Sequence, residues 1–316
     1  MSSTFPIPYQ TVDLPELRRQ NIRLVVKRLD KIHPEIQGNK WYKLKYNLEE
    51  ALQQGYHRVL TFGGAYSNHI HATAAAAKQV GLEAIAVIRG EENLPLNPTL
   101  MDAQAAGMKL HYVSRTAYRE KTSPEFIESL RNTYGNFYLI PEGGTNALAV
   151  EGTKEILEGG DFDFDLITTA IGTGGTMAGL LASAGLAQTI LGFSTLKGNF
   201  MNHQIQLLLE KLEINPICKY QIINDYHFGG YGKHKAELVE FINDFNHQTG
   251  IPLDPLYTGK MMFGLLDMIE KEMIPEGSRI LTLHTGGLQG IRGFNLRNGT
   301  ALEEGNPKND STSRRL

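Results

Sequence analysis

Short β-rich runs alternate with longer segments of helical periodicity along most of this chain, and this alternation restricts the fold more than any other feature. The runs with the length and β-branched content of strands are RLVVKRL from Arg23, RVLTF from Arg58, AIAVI from Ala84, KLHYV from Lys109, NFYLI from Asn136, DLITTAI from Asp165, TILGFS from Thr189 and RILTLH from Arg279. The segments between them, such as SNHIHATAAAAKQVG, EGTKEILEGG and TMAGLLASAGLA, are helical in pattern, as is GKMMFGLLDMIEKEMIPEG, which Pro275 and Gly277 should stop. The polar tail after Arg297 is expected to fray. The pattern predicts an α/β protein with mainly parallel sheets covered by helices.

Glycine clusters mark the ends of several predicted strands. TFGGAYSNH, IPEGGTN, AIGTGGTMAG and LHTGGLQG each follow an apolar run, and at least the first three precede a helix. Ligands of open α/β sheets bind beyond the carboxyl ends of the strands, where helix N-termini offer free N–H groups to anions. We therefore expect these loops to converge on one site.

Composition narrows the class of ligand. The 316 residues include 31 basic and 34 acidic side chains, so the net charge of -3 gives no footprint for nucleic acid or an anionic membrane. Cys218 is the single cysteine, which excludes a disulfide framework and a thiolate zinc site. No apolar run approaches ~20 residues, and the start of the chain lacks a basic region followed by an apolar stretch. We expect a cytoplasmic protein with a small-molecule partner.

The loop AIGTGGTMAGL joins a strand end to a helix start through a Gly/Thr turn, so its N–H groups and hydroxyls fit a phosphate. Met177 stands where a dinucleotide fingerprint needs its third glycine, and Asp254 and Met261 remove YTGKMM from the P-loop class. The loop therefore predicts a phosphorylated cofactor or substrate without a nucleotide signature; the alternative is a glycine-rich turn that holds nothing.

Common nucleophile and metal patterns are absent. GFSTL lacks the closing glycine of G-x-S-x-G, and His69 and His71 have an i, i+2 spacing that diverges on a helix. We expect no metal site.

Lys40 follows a Gly-Asn pair at the predicted start of a helix, next to Trp41. Desolvation and the positive end of the helix dipole would disfavour its ammonium form, which favours Schiff-base chemistry. By themselves Lys40, Lys43 and Lys45 equally resemble ordinary basic residues of an exposed helix. Together with the phosphate loop, Lys40 favours an aldehyde cofactor that carries a phosphate.

GGAYSNH adds two polar side chains at another helix start. Ser67 could be a plain N-cap and Asn68 an exposed residue of the first turn. Beside Lys40 and a phosphate loop, they become candidates for binding a substrate carboxylate and a cofactor oxygen.

Five motifs in this order, GNKWYKLKYN, GGAYSNH, GTGGTMAG, DPLYTGK and HTGG, resemble those of the pyridoxal-phosphate (PLP) enzymes of the 1-aminocyclopropane-1-carboxylate (ACC) deaminase and D-cysteine desulfhydrase family. The resemblance covers roughly Asp30 to Arg297. It implies the fold of the tryptophan synthase β subunit, that is, fold type II. It also implies a homodimer, with a small domain at residues 45–143 inserted into a large one formed by residues 1–44 and 144–316.

The resemblance implies roles for individual residues. Lys40 would hold PLP as a Schiff base and later move the α-proton. The implied cofactor contacts are Asn68 at the phenolic oxygen, Thr173, Gly174, Gly175 and Thr176 at the phosphate, and Thr285 near the ring. The implied substrate neighbours are Ser67, His69, Tyr231 and Tyr257, of which Ser67 and Tyr257 would also serve catalysis.

The residue after Tyr257 separates two activities within this family. Deaminases have a glutamate there that faces the pyridine nitrogen, whereas this chain has Thr258, as the desulfhydrase branch does. A neutral hydroxyl makes the ring a weaker electron sink, which suffices when a β-leaving group departs readily. The resemblance thus predicts α,β-elimination from a small amino acid, releasing pyruvate and ammonia. ACC deamination and PLP binding without turnover are the alternatives.

Two departures from the family pattern affect the pocket rim. Tyr66 occupies a position where many members have glutamine, and LDKIHPEIQGNKW is a shorter approach to the lysine than deaminases use. The resemblance gives D-cysteine as the leading expectation for the substrate, and these two departures count against that finer assignment.

Overall fold

A computed structural model describes residues 6–304 of the chain. The strands are β1 (Tyr9–Val12), β2 (Arg23–Lys27), β3 (Arg58–Gly64), β4 (Glu83–Arg89), β5 (Lys109–Val113), β6 (Tyr138–Ile140), β7 (Leu166–Ile171), β8 (Thr189–Ser194), β9 (Lys219–Ile223) and β10 (Arg279–Leu283). The α-helices are α1 (Pro15–Arg19), α2 (Asn39–Gln53), α3 (Asn68–Gln79), α4 (Pro98–Ala105), α5 (Arg115–Arg119), α6 (Pro124–Tyr134), α7 (Ala147–Lys154), α8 (Gly175–Ser183), α9 (Phe200–Lys211), α10 (Ala236–Thr249), α11 (Thr258–Glu270) and α12 (Gly290–Asn298).

The strands form two sheets. A six-stranded sheet has the order β1-β2-β10-β7-β8-β9, and a four-stranded sheet has the order β5-β4-β3-β6. Only β1 runs antiparallel to its neighbour among these strands; every other pair is parallel. The mainly parallel α/β architecture expected from the sequence is therefore confirmed.

Each predicted run contains a strand, but the two edge strands β1 and β9 were not anticipated. Their residues are mostly half-buried or exposed, because an edge strand has one free side, so neither shows the continuous apolar run of a central strand such as β4.

Several helices have other ends than the sequence pattern predicts: α8 ends at Ser183 within TMAGLLASAGLA, and α7 ends at Lys154 within EGTKEILEGG. The helix expected to stop near Pro275 ends at Glu270, because Glu272 adopts a left-handed conformation with φ of 56°. The helix expected from Glu151 begins earlier, at Ala147, because the Asn146 side chain accepts a hydrogen bond from the Ala149 N–H and caps it.

The four strands of the smaller sheet lie between residues 58 and 140, inside the segment expected to be inserted. The domain boundaries at 45 and 143 remain a prediction. The polar tail expected to fray after Arg297 lies mostly outside the described residues. Within residues 6–304, no helix combines the length and the hydropathy that crossing a membrane requires.

Candidate active site

A cavity of about 1470 Å³ lies between the two sheets, at the carboxyl ends of β3, β7 and β10. Residues from all four glycine clusters line it, including Gly64, Gly143, Gly172 and Gly286. The expected convergence of these loops is therefore observed, and the N-terminal ends of α2, α3 and α8 open toward one space.

Lys40 enters this cavity from the first turn of α2. The preceding Gly38 has φ of 64°, and a Cβ at that position would overlap the carbonyl oxygen of Thr285. The Asn39 N–H points to the same oxygen at 3.4 Å. Glycine is therefore required at residue 38 both by the backbone conformation and by contact with the chain that follows β10.

The Lys40 amine is partly desolvated. Its Nζ donates to Asn39 Oδ1 at 2.9 Å. Burial lowers the pKa of Lys40 to about 8, and the Asp254 carboxylate partly opposes this shift. A larger neutral fraction near neutral pH makes the amine a better nucleophile, as expected from the sequence.

The short approach to α2 is held by His33. Its Nδ1 accepts from the N–H groups of Glu35 at 3.1 Å and Ile36 at 3.0 Å, and its ring stacks on Trp41 with centroids 5.4 Å apart. These contacts fix the direction from which the chain delivers Lys40.

The loop before α8 forms an anion cradle. Gly174 has φ of 87° and turns the chain so that the first N–H groups of α8 are free. The hydroxyls of Thr173 and Thr145 lie 2.5 Å apart beside this helix start. Thr176 accepts from Asn39 Nδ2 at 2.8 Å, which links the cradle to the residue before Lys40.

Lys43 supplies the cation of this cradle. Its buried Nζ donates to the Gly143 carbonyl at 2.8 Å, to Thr145 Oγ1 at 2.9 Å and to Thr173 Oγ1 at 3.2 Å. Burial, with a contribution from Lys40, lowers the pKa of Lys43 well below its usual value. A bound phosphate would compensate both the burial and the repulsion, so the donor set fits a phosphate.

Sequence reasoning left Lys43 as an ordinary basic residue and did not connect it to the IPEGGTN loop, whose Gly143 carbonyl and Thr145 hydroxyl accept hydrogen bonds from it. The available signal was spacing: residues three apart on a helix share a face, so Lys43 had to point where Lys40 points.

The start of α3 places three predicted residues at different depths. Ser67 caps the helix and accepts from the Ile70 N–H at 3.4 Å, while Asn68 Oδ1 accepts from Gln289 Nε2 at 2.8 Å. Both side chains line the cavity. Their roles toward substrate and cofactor remain predictions.

His69 also lines the cavity, but its ring nitrogens face the hydroxyls of Thr61 and Thr73. Nε2 lies 2.7 Å from Thr61 Oγ1, and Nδ1 lies 3.5 Å from Thr73 Oγ1. Burial lowers the pKa of His69 well below its usual value, and Lys40 and Lys43 add to the shift. The ring is therefore neutral and joins α3 to β3.

Tyr231 and Tyr257 form an aromatic pair that lines the cavity. Their ring centroids are 6.0 Å apart, and the two ring planes are tilted by 59°. Burial raises the pKa of Tyr257 well above its usual value and also raises that of Tyr231, so both phenols stay protonated at neutral pH. They can donate hydrogen bonds into the cavity.

Thr258 is fully buried and does not line the cavity, among the residues described. Its hydroxyl donates to Asp254 Oδ1 at 2.8 Å and accepts from the Asp254 N–H at 2.9 Å. Thr285, by contrast, lines the cavity, and its hydroxyl has no hydrogen-bond partner within residues 6–304. Thr285 is thus better placed than Thr258 to contact the ring of a bound cofactor.

Comparison with known proteins identifies relatives of this chain. The family described as "Pyridoxal-phosphate dependent enzyme" matches residues 3–286. A putative ACC deaminase of Pyrococcus horikoshii is 34% identical over 302 residues, covering 90% of each chain. The mitochondrial bifunctional D-cysteine desulfhydrase/ACC deaminase of Arabidopsis thaliana is 32% identical, covering 90% of this chain and 77% of its own.

Solved structures of other proteins share the fold of this chain. The crystal structure of an ACC deaminase homologue superposes with a TM-score of 0.79 at 32% identity, covering 93% of both chains. The O-acetylserine dependent cystathionine beta-synthase of Helicobacter pylori, at 16% identity, covers 95% of this chain and 97% of its own with a TM-score of 0.65, which shows the shared fold alone. The architecture is that of fold type II PLP enzymes. A cavity that combines a phosphate cradle with a desolvated lysine fits this cofactor, and the chain belongs to the pyridoxal-phosphate dependent enzyme family.

Proposed function

We propose that this PLP-dependent enzyme is a lyase that performs α,β-elimination on a small amino acid with a β-leaving group, releasing pyruvate and ammonia, with D-cysteine as the leading substrate. The observation that carries the proposal is the pairing of Lys40, with its pKa of about 8, and a separate phosphate cradle centred on Lys43 in one cavity. One group suits covalent attachment of an aldehyde, and the other suits its phosphate.

The cofactor, when bound, withdraws electrons from the bonds at the substrate Cα. The chain itself must bind and orient the substrate and move protons. Lys40 Nζ, neutral in part near pH 8, takes the Cα proton. Ser67 and the protonated phenol of Tyr257 hold the substrate carboxylate and leaving group in the cavity. Thr285 and Asn68 meet the ring and its phenolic oxygen.

The environment of Asp254 favours elimination over ring opening. Its carboxylate accepts from the N–H groups of Leu256 at 2.9 Å, Tyr257 at 3.0 Å and Thr258 at 2.8 Å, besides the Thr258 hydroxyl. These four donors occupy the carboxylate, which does not line the cavity within residues 6–304, whereas the hydroxyl-bearing Thr285 does. A neutral partner for the ring suits a substrate whose β-group leaves readily.

ACC deamination is the second candidate. It is favoured by the names of the relatives in Pyrococcus horikoshii and Arabidopsis thaliana, the latter of which carries both activities in its name.

A substrate panel tests the proposal. Purified protein saturated with PLP is assayed for 2-oxoacid release from D- and L-cysteine, β-chloroalanine, D-serine and ACC, with Lys40→Ala as the blank. We expect pyruvate from D-cysteine and β-chloroalanine, and slower or no product from ACC. Activity on ACC alone would establish the second candidate. Bound cofactor with no product from any compound would identify a binding protein without turnover.

The resemblance also supports a cytoplasmic homodimer with the inserted small domain at residues 45–143. Light scattering on the purified protein measures the oligomeric state, and a monomer at working concentrations would contradict the homodimer.

A further inference from the structure

The carboxyl ends of β3, β4 and β5 lie side by side at the edge of the cavity. Gly64 is paired with Arg89, and Arg89 is paired with Val113. Since neighbouring strands are about 4.8 Å apart, Arg89 lies one strand from the GGAYSNH loop, and the chain after Val113 lies two strands away. A Cβ on Gly64 would lie 3.8 Å from the Arg89 guanidinium.

Basic side chains collect at these strand ends. We define the basic rim as Arg89, Arg115, Arg119 and Lys121, all of which line the cavity. Arg115 and Arg119 are four residues apart on α5 and share its face. The buried ring of Tyr118 organises the others, with the Arg89 guanidinium 5.8 Å and the Lys121 amine 5.1 Å from its centroid.

Most of this charge is not neutralised by the protein. Lys121 lies 3.5 Å from the Glu142 carboxylate. Within residues 6–304, no carboxylate lies within ion-pair distance of Arg89, Arg115 or Arg119. The whole chain carries a net charge of -3, so this excess of positive charge is local to the cavity.

The rim is also not needed for the cofactor phosphate. That group is served by Lys43 and the start of α8, which follows a strand of the larger sheet, whereas the rim belongs to the smaller sheet. Three unpaired guanidinium groups beside the substrate loop match a second anion. Arginine forks bind phosphate and sulfonate oxygens with two hydrogen bonds each.

We propose that the basic rim selects amino acids whose β-substituent carries its own negative charge, such as a phosphate ester or a sulfonate. The proposal rests on the elimination activity proposed above and names the substrate class for it. The rim would bind the departing group, while Lys40 acts at Cα.

The reaction balances without any further reactant except water. The Cα proton is removed, and the bond from Cβ to oxygen or sulfur breaks with its electron pair staying on the leaving group. That group departs as phosphate or sulfite, and hydrolysis of the remaining enamine gives pyruvate and ammonia. No oxidant or reductant is required.

The test compares matched substrates on the holoenzyme. O-phosphoserine is paired with serine, and 3-sulfoalanine with cysteine, each as both enantiomers, and kcat/KM is measured through pyruvate. We expect the ratio of charged to uncharged substrate to fall at least tenfold in R115Q/R119Q, mainly through KM. R18Q/R19Q removes two exposed arginines from α1, away from the cavity, and is expected to keep the wild-type ratio.

A binding measurement separates this inference from the proposed function. Aspartate has an anionic β-group that does not leave, so its affinity for the holoenzyme, read from the visible cofactor band, is compared with that of alanine. We expect aspartate to bind at least tenfold more tightly in the wild type and to lose that advantage in R115Q/R119Q.

The outcomes are distinct. If the enzyme releases pyruvate from cysteine but the ratio of kcat/KM for charged to uncharged substrate is unchanged in R115Q/R119Q, the basic rim does not select anionic substrates. The proposed lyase activity would then still hold. If no compound gives pyruvate, the proposed lyase activity is wrong. The comparison of aspartate with alanine then tests anion binding by the basic rim independently. Equal affinity for aspartate and alanine in that case removes the rim as an anion site.

Discussion

Two lysines one helical turn apart have different tasks in the cavity. Lys40 is half-buried, and among residues 6–304 its amine is hydrogen-bonded only to Asn39, which leaves it available, whereas the Lys43 amine is held by three oxygen atoms. The sequence indicated the first residue through the Gly-Asn pair before it. It did not indicate the second, because the oxygens that hold Lys43 come from loops a hundred residues and more away.

The pKa of Lys40 sets a pH dependence for cofactor attachment. Because the neutral amine attacks the aldehyde, the rate at which cofactor-free protein captures PLP should rise with pH and level off above about 8. An ordinary lysine would keep rising toward its pKa of about 10.4. The growth of the visible band between pH 6 and pH 10 measures this, with Lys45→Ala as a control that should match wild type. A rate that still climbs beyond pH 9 would contradict a depressed pKa.

Lys43→Met should weaken PLP affinity while keeping the covalent bond to Lys40. The change preserves the bulk of the side chain but removes a charged donor, which is worth about 1.5–3 kcal/mol, or roughly 10- to 100-fold in Kd. Titration of the cofactor-free variant gives the affinity, and borohydride reduction followed by mass spectrometry locates the label at Lys40. Lys45→Met is the matched control, because Lys45 is half-buried and pairs with Glu155 rather than with the cradle. An affinity within twofold of wild type would remove Lys43 from the phosphate site.

At the scale of elements, the sequence predicted the central strands and the helices that follow the glycine loops, since apolar runs and caps are local signals. Edge strands β1 and β9 lack such a run, and the early end of α11 depends on the conformation of Glu272. Thr258 shows the same limit within the site. Its position in the motif was readable, but the turn that commits its hydroxyl to Asp254 was not.

Ser67→Ala separates a helix cap from a substrate contact. Loss of the cap should cost about 1 kcal/mol of the free energy of unfolding. Ser123→Ala removes the equivalent cap of α6 and should cost a similar amount. If Ser67 also holds the substrate carboxylate, only Ser67→Ala should raise KM, by at least tenfold. Equal KM values in both variants would reduce Ser67 to its capping role.

Gly38→Ala should damage both stability and cofactor binding. Its Cβ would meet the Thr285 carbonyl in addition to the strained positive φ, so we expect a loss of about 3 kcal/mol or more in urea unfolding. Gly55→Ala isolates the strain, because Gly55 has φ of 73° but nothing within 4 Å of the new Cβ. That control should cost about 1 kcal/mol and keep full PLP occupancy. Equal costs would show that the contact with Thr285 is unimportant.

On the scale of the whole molecule, the cavity is built from both sheets, so cofactor binding should stabilise the fold. With PLP at 100-fold over its Kd, linkage gives about 2.7 kcal/mol. Removing the cofactor should therefore lower the melting temperature by several degrees, as read by circular dichroism. Lys40→Ala should show a smaller difference, because it keeps the phosphate cradle and loses the covalent bond. No change on cofactor removal in the wild type would mean that the folded chain does not bind PLP more tightly than the unfolded chain.

The contact between Gly38 and Thr285 also has a consequence for biosynthesis. The strand before Lys40, β2, lies between β1 and β10, so it gains its second neighbour only after the last strand has been translated. The reactive lysine leaves the ribosome early, but its pocket wall arrives near the end, and closing so long a loop is slow. A nascent chain stalled before residue 279 should therefore be unable to retain the cofactor, and the vitamin-derived aldehyde would be captured only once synthesis is nearly complete.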